Sequence, residues 1–165
     1  KAFNCIKDKI PHKLVIAGSK DVGVKDDDEI DILIKELDLK DRVIEFISPD
    51  DDTIINLYQN AELFVFPSLI EGFGLPPLEA VSLGCPVVLS DIPILKEIFE
   101  NSAVYFNPHS FEDMGDKILH LLSNKDFKNE YLSKQKERIK VFDKDKIINE
   151  YLELFDSVIK EGNKL

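Results

Sequence analysis

The apolar residues of this chain follow an alternating order, in which short continuous runs are each followed by apolar positions at helical spacing. Such runs lie at 13–18, 43–47, 63–66, 87–90 and 103–106. The continuous apolar runs are typical of buried strands, and a helix between two strands returns the chain across the sheet, so that the strands pair in parallel. The sequence therefore predicts an α/β fold with a doubly wound parallel sheet.

The pattern changes after Ser110, where only helical spacing remains. Apolar positions indicate one helix from Phe111, a second over 127–141 and a third from Ile147. We expect these helices to pack across the sheet. The chain has 165 residues, and a chain of that size buries roughly 70% of its extended surface around one core. One domain over residues 1–165 is therefore predicted.

Charge and cysteine content exclude several classes of protein. The net charge of −11 argues against binding nucleic acid or an anionic membrane surface, since both need clustered Lys and Arg. Cys5 and Cys85 lack the spacing of metal ligands, which fits reduced thiols in the cytoplasm. No apolar run approaches the roughly 20 residues that span a bilayer, and the amino end lacks a signal-peptide core. We predict a cytoplasmic location.

Residues 71–80 combine two glutamates, two glycines and two prolines directly after a predicted strand. This places them at the carboxyl end of the sheet, where open α/β folds bind ligands. Gly72 and Gly74 would let a ligand approach the backbone closely. Pro76 and Pro77 suit the start of a helix, which we expect to open near Pro77, to cover 78–83 and to end at a left-handed Gly84.

The chemistry of this loop favours a ligand with phosphate or sugar oxygens. The amides of Gly72, Phe73, Gly74 and Leu75 would be free donors beside the positive end of the helix. Glu79 would lie in the first helical turn and could accept hydrogen bonds from a ribose diol. A solvated turn with two glutamates is the alternative for the pair taken alone.

Over residues 71–80, with the lead-in 64–68, the follow-on 84–88 and a weaker match at 14–18, the chain resembles the retaining glycosyltransferases of family 4, or glycosyltransferase group 1. The resemblance implies that Glu71 is the catalytic-site residue that contacts the donor sugar and that Glu79 binds the nucleotide ribose. It also implies that the intervening amides hold sugar and phosphate.

Two further positions are assigned to the donor site through the same resemblance. Gly18 opens a strand-to-helix loop, extending to Gly23, whose amides could reach phosphate. Ser48 lies in the loop where family members place the nucleotide base, although it could equally be an ordinary turn residue.

The resemblance also implies a Rossmann-like domain that forms one half of the two-domain GT-B fold. This chain aligns with the donor-binding half, so we expect a fragment that lacks the acceptor-binding domain and an upstream Arg and Lys. The resemblance also implies that the carboxyl-terminal helices cross toward that partner domain. The implied reaction transfers a hexose, as in mannosyl- or glucosyltransferases, with retention, from a nucleotide-diphosphate sugar to a glycan or lipid-linked acceptor in bacterial-type polysaccharide or glycolipid synthesis. Residues 1–165 alone should have little activity, and the missing half could hold the enzyme at the inner face of the membrane.

Other motifs point away from cofactors. Gly18 and Gly23 have the glycine spacing of a P-loop, but Val24 stands where the lysine must be. The acidic runs at 26–28 and 50–52 precede helices, so capping explains them better than metal binding. The histidines lack partners at ligand spacing and are interpreted as surface residues: His12, His109 and His120. We predict no metal and no cofactor.

A second hypothesis is a non-catalytic, flavodoxin-like binding or interaction module with the same order of strands and helices. Glu71 and Glu79 distinguish the two, because a donor site needs both carboxylates around a permissive loop and a mere module does not.

Overall fold

The computed structural model describes residues 1–18 and 26–162. Five strands and eight helices are found in this part of the chain. The strands are β1 Leu14–Gly18, β2 Val43–Ile47, β3 Phe64–Phe66, β4 Val87–Ser90 and β5 Val104–Phe106. The helices are α1 Ala2–Ile6, α2 Asp26–Glu36, α3 Asp51–Asn60, α4 Leu75–Ser82, α5 Pro93–Phe99, α6 Phe111–Ser123, α7 Lys125–Arg138 and α8 Lys144–Gly162, with 3₁₀ turns at Lys7–Lys9 and Ile139–Phe142.

All described strand pairs are parallel, as predicted. β1 pairs with β2 from Leu14 opposite Val43 to Gly18 opposite Ile47. β4 lies between β3 and β5. The hydrogen-bonded strands of the described residues thus form a pair and a triple, where the sequence predicted one continuous sheet. The α/β class is confirmed.

The core is built around β4, whose residues are fully buried. Val87 and Leu89 point into one apolar cluster, which includes residues of α4 and α5. Val88 belongs to a second cluster with residues of α1 and α6. Because alternate strand residues face opposite sides of a sheet, β4 is covered by helices on both faces, as in a doubly wound fold.

The expectation that β1 is a buried strand was wrong. Burial alternates along β1, with Leu14 and Ile16 partly covered and Val15 exposed. In β2, Ile47 is 57% exposed. The continuous apolar runs suggested coverage of both faces, whereas the described part of the chain covers mainly one face of β1 and little of β2.

The last helix also differs from expectation. α6 packs on α1 and β5, as predicted for the carboxyl-terminal helices. α8 does not pack across the sheet, because its apolar residues are largely exposed: Phe155 is 57% and Val158 58% accessible. Helical spacing correctly predicted α8 as an element but gave no information on which surface covers its apolar side. Among the described helices, none is both long and apolar enough to cross a bilayer.

The acidic run at 50–52 begins α3, as the capping interpretation required. The Asp50 carboxylate accepts a hydrogen bond from the Thr53 amide at 2.9 Å. This bond holds the pKa of Asp50 below its usual value. The run at 26–28 also begins a helix, α2.

Candidate functional site

The β3–α4 loop, residues 67–74, follows the carboxyl end of β3 and leads into α4. Gly74 precedes the first helical residue and has φ of 95°, in the left-handed region. The helix begins at Leu75, earlier than the predicted start near Pro77. The backbone N–H groups of the first helical turn have no acceptor within the helix. Proline, which lacks this group, is therefore tolerated at the second and third positions of α4 as well as at the first.

This earlier start corrects the position predicted for Glu79. Glu79 is the fifth residue of α4 and lies in the second turn, where the helix dipole has little effect. The end of α4 agrees with expectation, because Gly84 has φ of 82° and its amide bonds to Val81.

The two glycines of the loop are not equivalent. A β-carbon on Gly74 would lie 2.8 Å from Cδ2 of Leu95, so both packing and φ require glycine there. A β-carbon on Gly72 would meet no heavy atom within 4 Å, and Gly72 does not have positive φ. The described structure therefore gives no internal reason for Gly72, and close approach by a ligand remains the hypothesis for that position.

The loop presents unused backbone donors. Among the described residues, no hydrogen bond uses the amides of Gly72, Phe73, Gly74 or Leu75. Pro76 and Pro77 have no amide proton, so the amino end of α4 adds only the Leu75 donor to those of the loop. Gly72, Phe73 and Leu75 are exposed whereas Gly74 is buried, so an anion held here would meet mainly the amides of those three residues.

Two carboxylates flank these donors. Glu71 is half-buried and Glu79 is exposed. Neither side chain has a hydrogen-bond or ion-pair partner within the described part of the chain. Burial, and then the charge of Glu79, raise the pKa of the Tyr58 hydroxyl of α3 to about 12. Both carboxylates are thus free to accept hydrogen bonds from a ligand.

Gly18 and Ser48 are brought together at the carboxyl ends of β1 and β2. The Ser48 amide donates to the Gly18 carbonyl at 2.7 Å, and Ser48 has φ of 47°. No hydrogen bond or ion pair between described residues joins this pair to the β3–α4 loop. The continuation of the Gly18 loop to Gly23, with its possible phosphate contacts, lies outside the described residues.

Several residues next to the loop were not identified from the sequence. Leu95 of α5 contacts Gly74, and the Phe142 ring contacts that of Phe73. Ser90 ends β4 beside β3, and its buried hydroxyl has no hydrogen-bond partner among the described residues. Only the apolar character of Leu95 and Phe142 was visible in the sequence, and that character does not predict which loop they touch.

Among the described side chains, no group of three or more His, Cys, Asp or Glu is arranged to hold a metal ion. The side chains at 26–28 lie outside this description. That the protein uses no metal or other cofactor stays a prediction.

The fold is α/β, and the loop at the carboxyl end of parallel strand β3 is a candidate ligand site, in which backbone donors lie between two carboxylates. A family model described as "Glycosyl transferases group 1" matches residues 1–140. The chain belongs to this family of glycosyltransferases, which confirms the resemblance drawn from residues 71–80.

Similar proteins support the assignment. The chain is 35% identical over 95 residues to the O-antigen chain mannosyltransferase RfbU of Salmonella typhimurium, covering 58% of this chain and 26% of that protein. It is 50% identical over 64 residues to the serotype-specific mannosyltransferase WbdA of Escherichia coli, covering 39% of this chain and 8% of that protein. The chain thus spans only a minor part of the length of these relatives.

A solved structure confirms the Rossmann-like fold. Alr3699/HepE of Anabaena, solved in complex with UDP and glucose, aligns with a TM-score of 0.78 and 21% identity. The alignment covers 94% of this chain and 44% of that one. At this identity the likeness concerns the fold alone.

Proposed function

We propose that this chain binds the nucleotide-sugar donor of a glycosyltransferase that builds a bacterial-type polysaccharide or glycolipid. The observation that carries the proposal is the β3–α4 loop with the first residue of α4. Four amides without a hydrogen-bond partner among the described residues lie there between Glu71 and Glu79, whose carboxylates are likewise unpaired in the described part of the chain. Membership of the glycosyltransferase group 1 family supplies the class of ligand.

Each group has a role that suits its chemistry. The amides of Gly72, Phe73, Gly74 and Leu75 donate to the diphosphate oxygens, which carry the negative charge, and to oxygens of the sugar. Glu71 accepts hydrogen bonds from the donor sugar, and Glu79 accepts them from the ribose diol. Gly18 and Ser48 contribute backbone contacts to the phosphate and the base.

The finer features of the reaction are also proposals. Transfer proceeds with retention, and the donor is a hexose, with mannose favoured by the similarity to RfbU and WbdA. The acceptor is a glycan or a lipid-linked sugar bound by a second domain of the GT-B type. Residues 1–165, as one donor-binding domain, transfer little or no sugar by themselves and need no metal. The complete enzyme works on the cytoplasmic side of the membrane.

Saturation-transfer NMR tests donor binding directly, since it detects ligands with dissociation constants as weak as about 1 mM. The chain is mixed in turn with GDP-, UDP-, ADP- and dTDP-sugars. We expect one base to give saturation transfer. We expect Glu79→Ala to lose it while its thermal unfolding stays unchanged, because the exposed carboxylate makes no hydrogen bond or ion pair with another described residue.

The matched control is Glu97→Ala, which removes another exposed helical carboxylate, on α5, and should leave binding intact. Binding that survives in Glu79→Ala would defeat the ribose assignment. If neither the chain nor the full-length protein binds any donor, the donor-site proposal fails and the non-catalytic module gains support.

A further inference from the structure

The β3–α4 loop is held from outside by a segment far along the chain. The ring of Phe73, in the loop, meets the ring of Phe142 edge to face, with centroids 6.1 Å apart and planes at 88°. This is a favourable geometry for two aromatic rings. Phe142 ends the 3₁₀ turn that follows α7, and it packs against the apolar cluster between β4 and α5.

Arg138 fixes the position of Phe142. Its guanidinium lies 5.5 Å from the centroid of the Phe142 ring. The same group donates to the carbonyls of Ile98 at 2.7 Å and Glu97 at 3.0 Å. Its Nη1 lies 2.8 Å from Oε1 of Glu100. Arg138 is only 19% exposed, so these bonds are partly shielded from water.

The bonds of Arg138 also tie the turn to α5. Ile98 is near the carboxyl end of α5, where a cation is favoured by the unpaired carbonyls and by the dipole. α5 carries Leu95, which lies against Gly74. Two consecutive loop residues, Phe73 and Gly74, are therefore held by parts of one connected support.

We propose that Phe142 and Arg138 are positioning residues for donor binding, which hold the amides of residues 72–75 in the geometry that the sugar diphosphate requires. The inference rests on the proposed function, since it concerns the same site. A loop that is ordered before binding does not lose conformational entropy when the donor arrives, so the donor binds more tightly. Neither side chain needs to touch the donor for this effect.

Loss of a positioning residue should affect the affinities for two ligands differently, whereas a general loss of stability should affect both affinities alike. The ribose is assigned to Glu79, which projects from α4 and not from the loop. Loosening the loop should therefore weaken binding of a nucleotide-diphosphate sugar more than binding of the corresponding nucleoside monophosphate, which lacks the sugar and the second phosphate.

Calorimetric titration of the full-length protein provides the test, with GDP-mannose and UDP-glucose as donor probes and GMP and UMP as their matched monophosphates. We expect Phe142→Leu to raise the Kd of the bound donor about three- to tenfold, from the size of aromatic-pair effects, with the monophosphate Kd changed less than about twofold. Phe142→Tyr keeps the ring and should bind like the wild type. Phe111→Leu is the control, because it alters a partly exposed ring at the start of α6.

A double-mutant cycle guards against a folding defect in the Phe142 variant. Phe73→Leu removes the same ring contact from the exposed side and keeps the loop amide. If Phe142 acts through Phe73, Phe142→Leu has no further effect in the Phe73→Leu background. Arg138→Lys should shift donor affinity in the same direction as Phe142→Leu, since an ammonium cannot reproduce the planar fork.

Three results would overturn the positioning role while leaving the donor site standing: an unchanged donor Kd in both ring variants, equal losses for donor and monophosphate, or independent effects that multiply in the double variant. If the wild-type protein binds no GDP-, UDP-, ADP- or dTDP-sugar, the proposed function itself fails, and this inference with it.

Discussion

Leu95 packs so closely over Gly74 that a β-carbon on the glycine would lie 2.8 Å from its Cδ2 atom. Leu95 is fully buried in the core, so it has little room to move away. Gly74 also has a left-handed φ of 95°. The entry to α4 is thus fixed both by packing and by backbone conformation, and each of these independently demands a residue without a side chain.

Gly74→Ala should therefore lower the free energy of unfolding by about 1–3 kcal/mol, through left-handed strain and the clash with Leu95. Urea unfolding followed by circular dichroism measures the change. Wild-type stability in this variant would show that α5 moves easily away from the loop.

Gly72→Ala is the matched control for that experiment. A β-carbon there meets nothing within 4 Å, so the free energy of unfolding should change by less than about 0.5 kcal/mol. If Gly72 instead serves close approach of the donor, the same variant should bind nucleotide sugar more weakly at unchanged stability.

Glu71→Gln should lower turnover of the full-length enzyme more than it lowers nucleotide affinity. The amide keeps the shape of the side chain but removes the charge that the donor sugar would meet. Glu79, to which the ribose is assigned, is unchanged in this variant. Steady-state rates and nucleoside-diphosphate titration provide the two numbers. Equal turnover in Glu71→Gln and wild type would remove Glu71 from the donor site, and Glu97→Gln serves as the control for loss of a carboxylate.

The two cysteines should differ in reactivity. Burial raises the pKa of Cys85 to about 11, whereas Cys5 is exposed. At pH 8 only about one Cys85 thiol in a thousand is ionised, and the thiolate is the reactive form. Iodoacetamide should therefore add once to the native chain and twice after unfolding in guanidinium, as counted by intact-mass spectrometry. Two rapid adducts on native protein would contradict the buried position of Cys85.

Removal of α8 should cost little stability in the 165-residue chain. Its apolar residues are mostly exposed, so little apolar surface leaves the core when the chain is shortened after Asp143. We expect the Tm to fall by less than about 3 °C, measured by scanning calorimetry. A fall of about 10 °C would mean that α8 covers a surface of this domain in solution.

The sequence predicted the helices and strands better than it predicted which of their faces are buried. Strand β4 and helix α3 were recognisable because apolar runs, helical spacing and an acidic cap within residues 50–52 are local signals. The exposure of Ile47 and of the apolar residues of α8 depends on which other elements pack against them, and the local sequence pattern does not contain that information.

The site shows the same division. Glu71, Glu79, Gly18 and Ser48 were selected from the motif and the resemblance, and the left-handed Gly84 was predicted from its place at the end of α4. The left-handed φ of Gly74 and the hydrogen bond from Ser48 to Gly18 were not predicted. The start of α4 was placed too late because proline was assigned only to the first helical position. The contact of Phe73 with Phe142 joins distant parts of the chain through packing, and no spacing rule predicts such a pair.

Pro76 and Pro77 have a practical consequence for spectroscopy. Between Leu75 and Leu78 the chain has no backbone amide proton. Amide-detected spectra therefore lack the resonances of two consecutive residues in the first turn of α4. A donor held by the loop would shift a compact block of resonances that stops abruptly at Leu75. The two missing signals thus separate, in the spectrum, the proposed binding loop and Leu75 from the rest of α4.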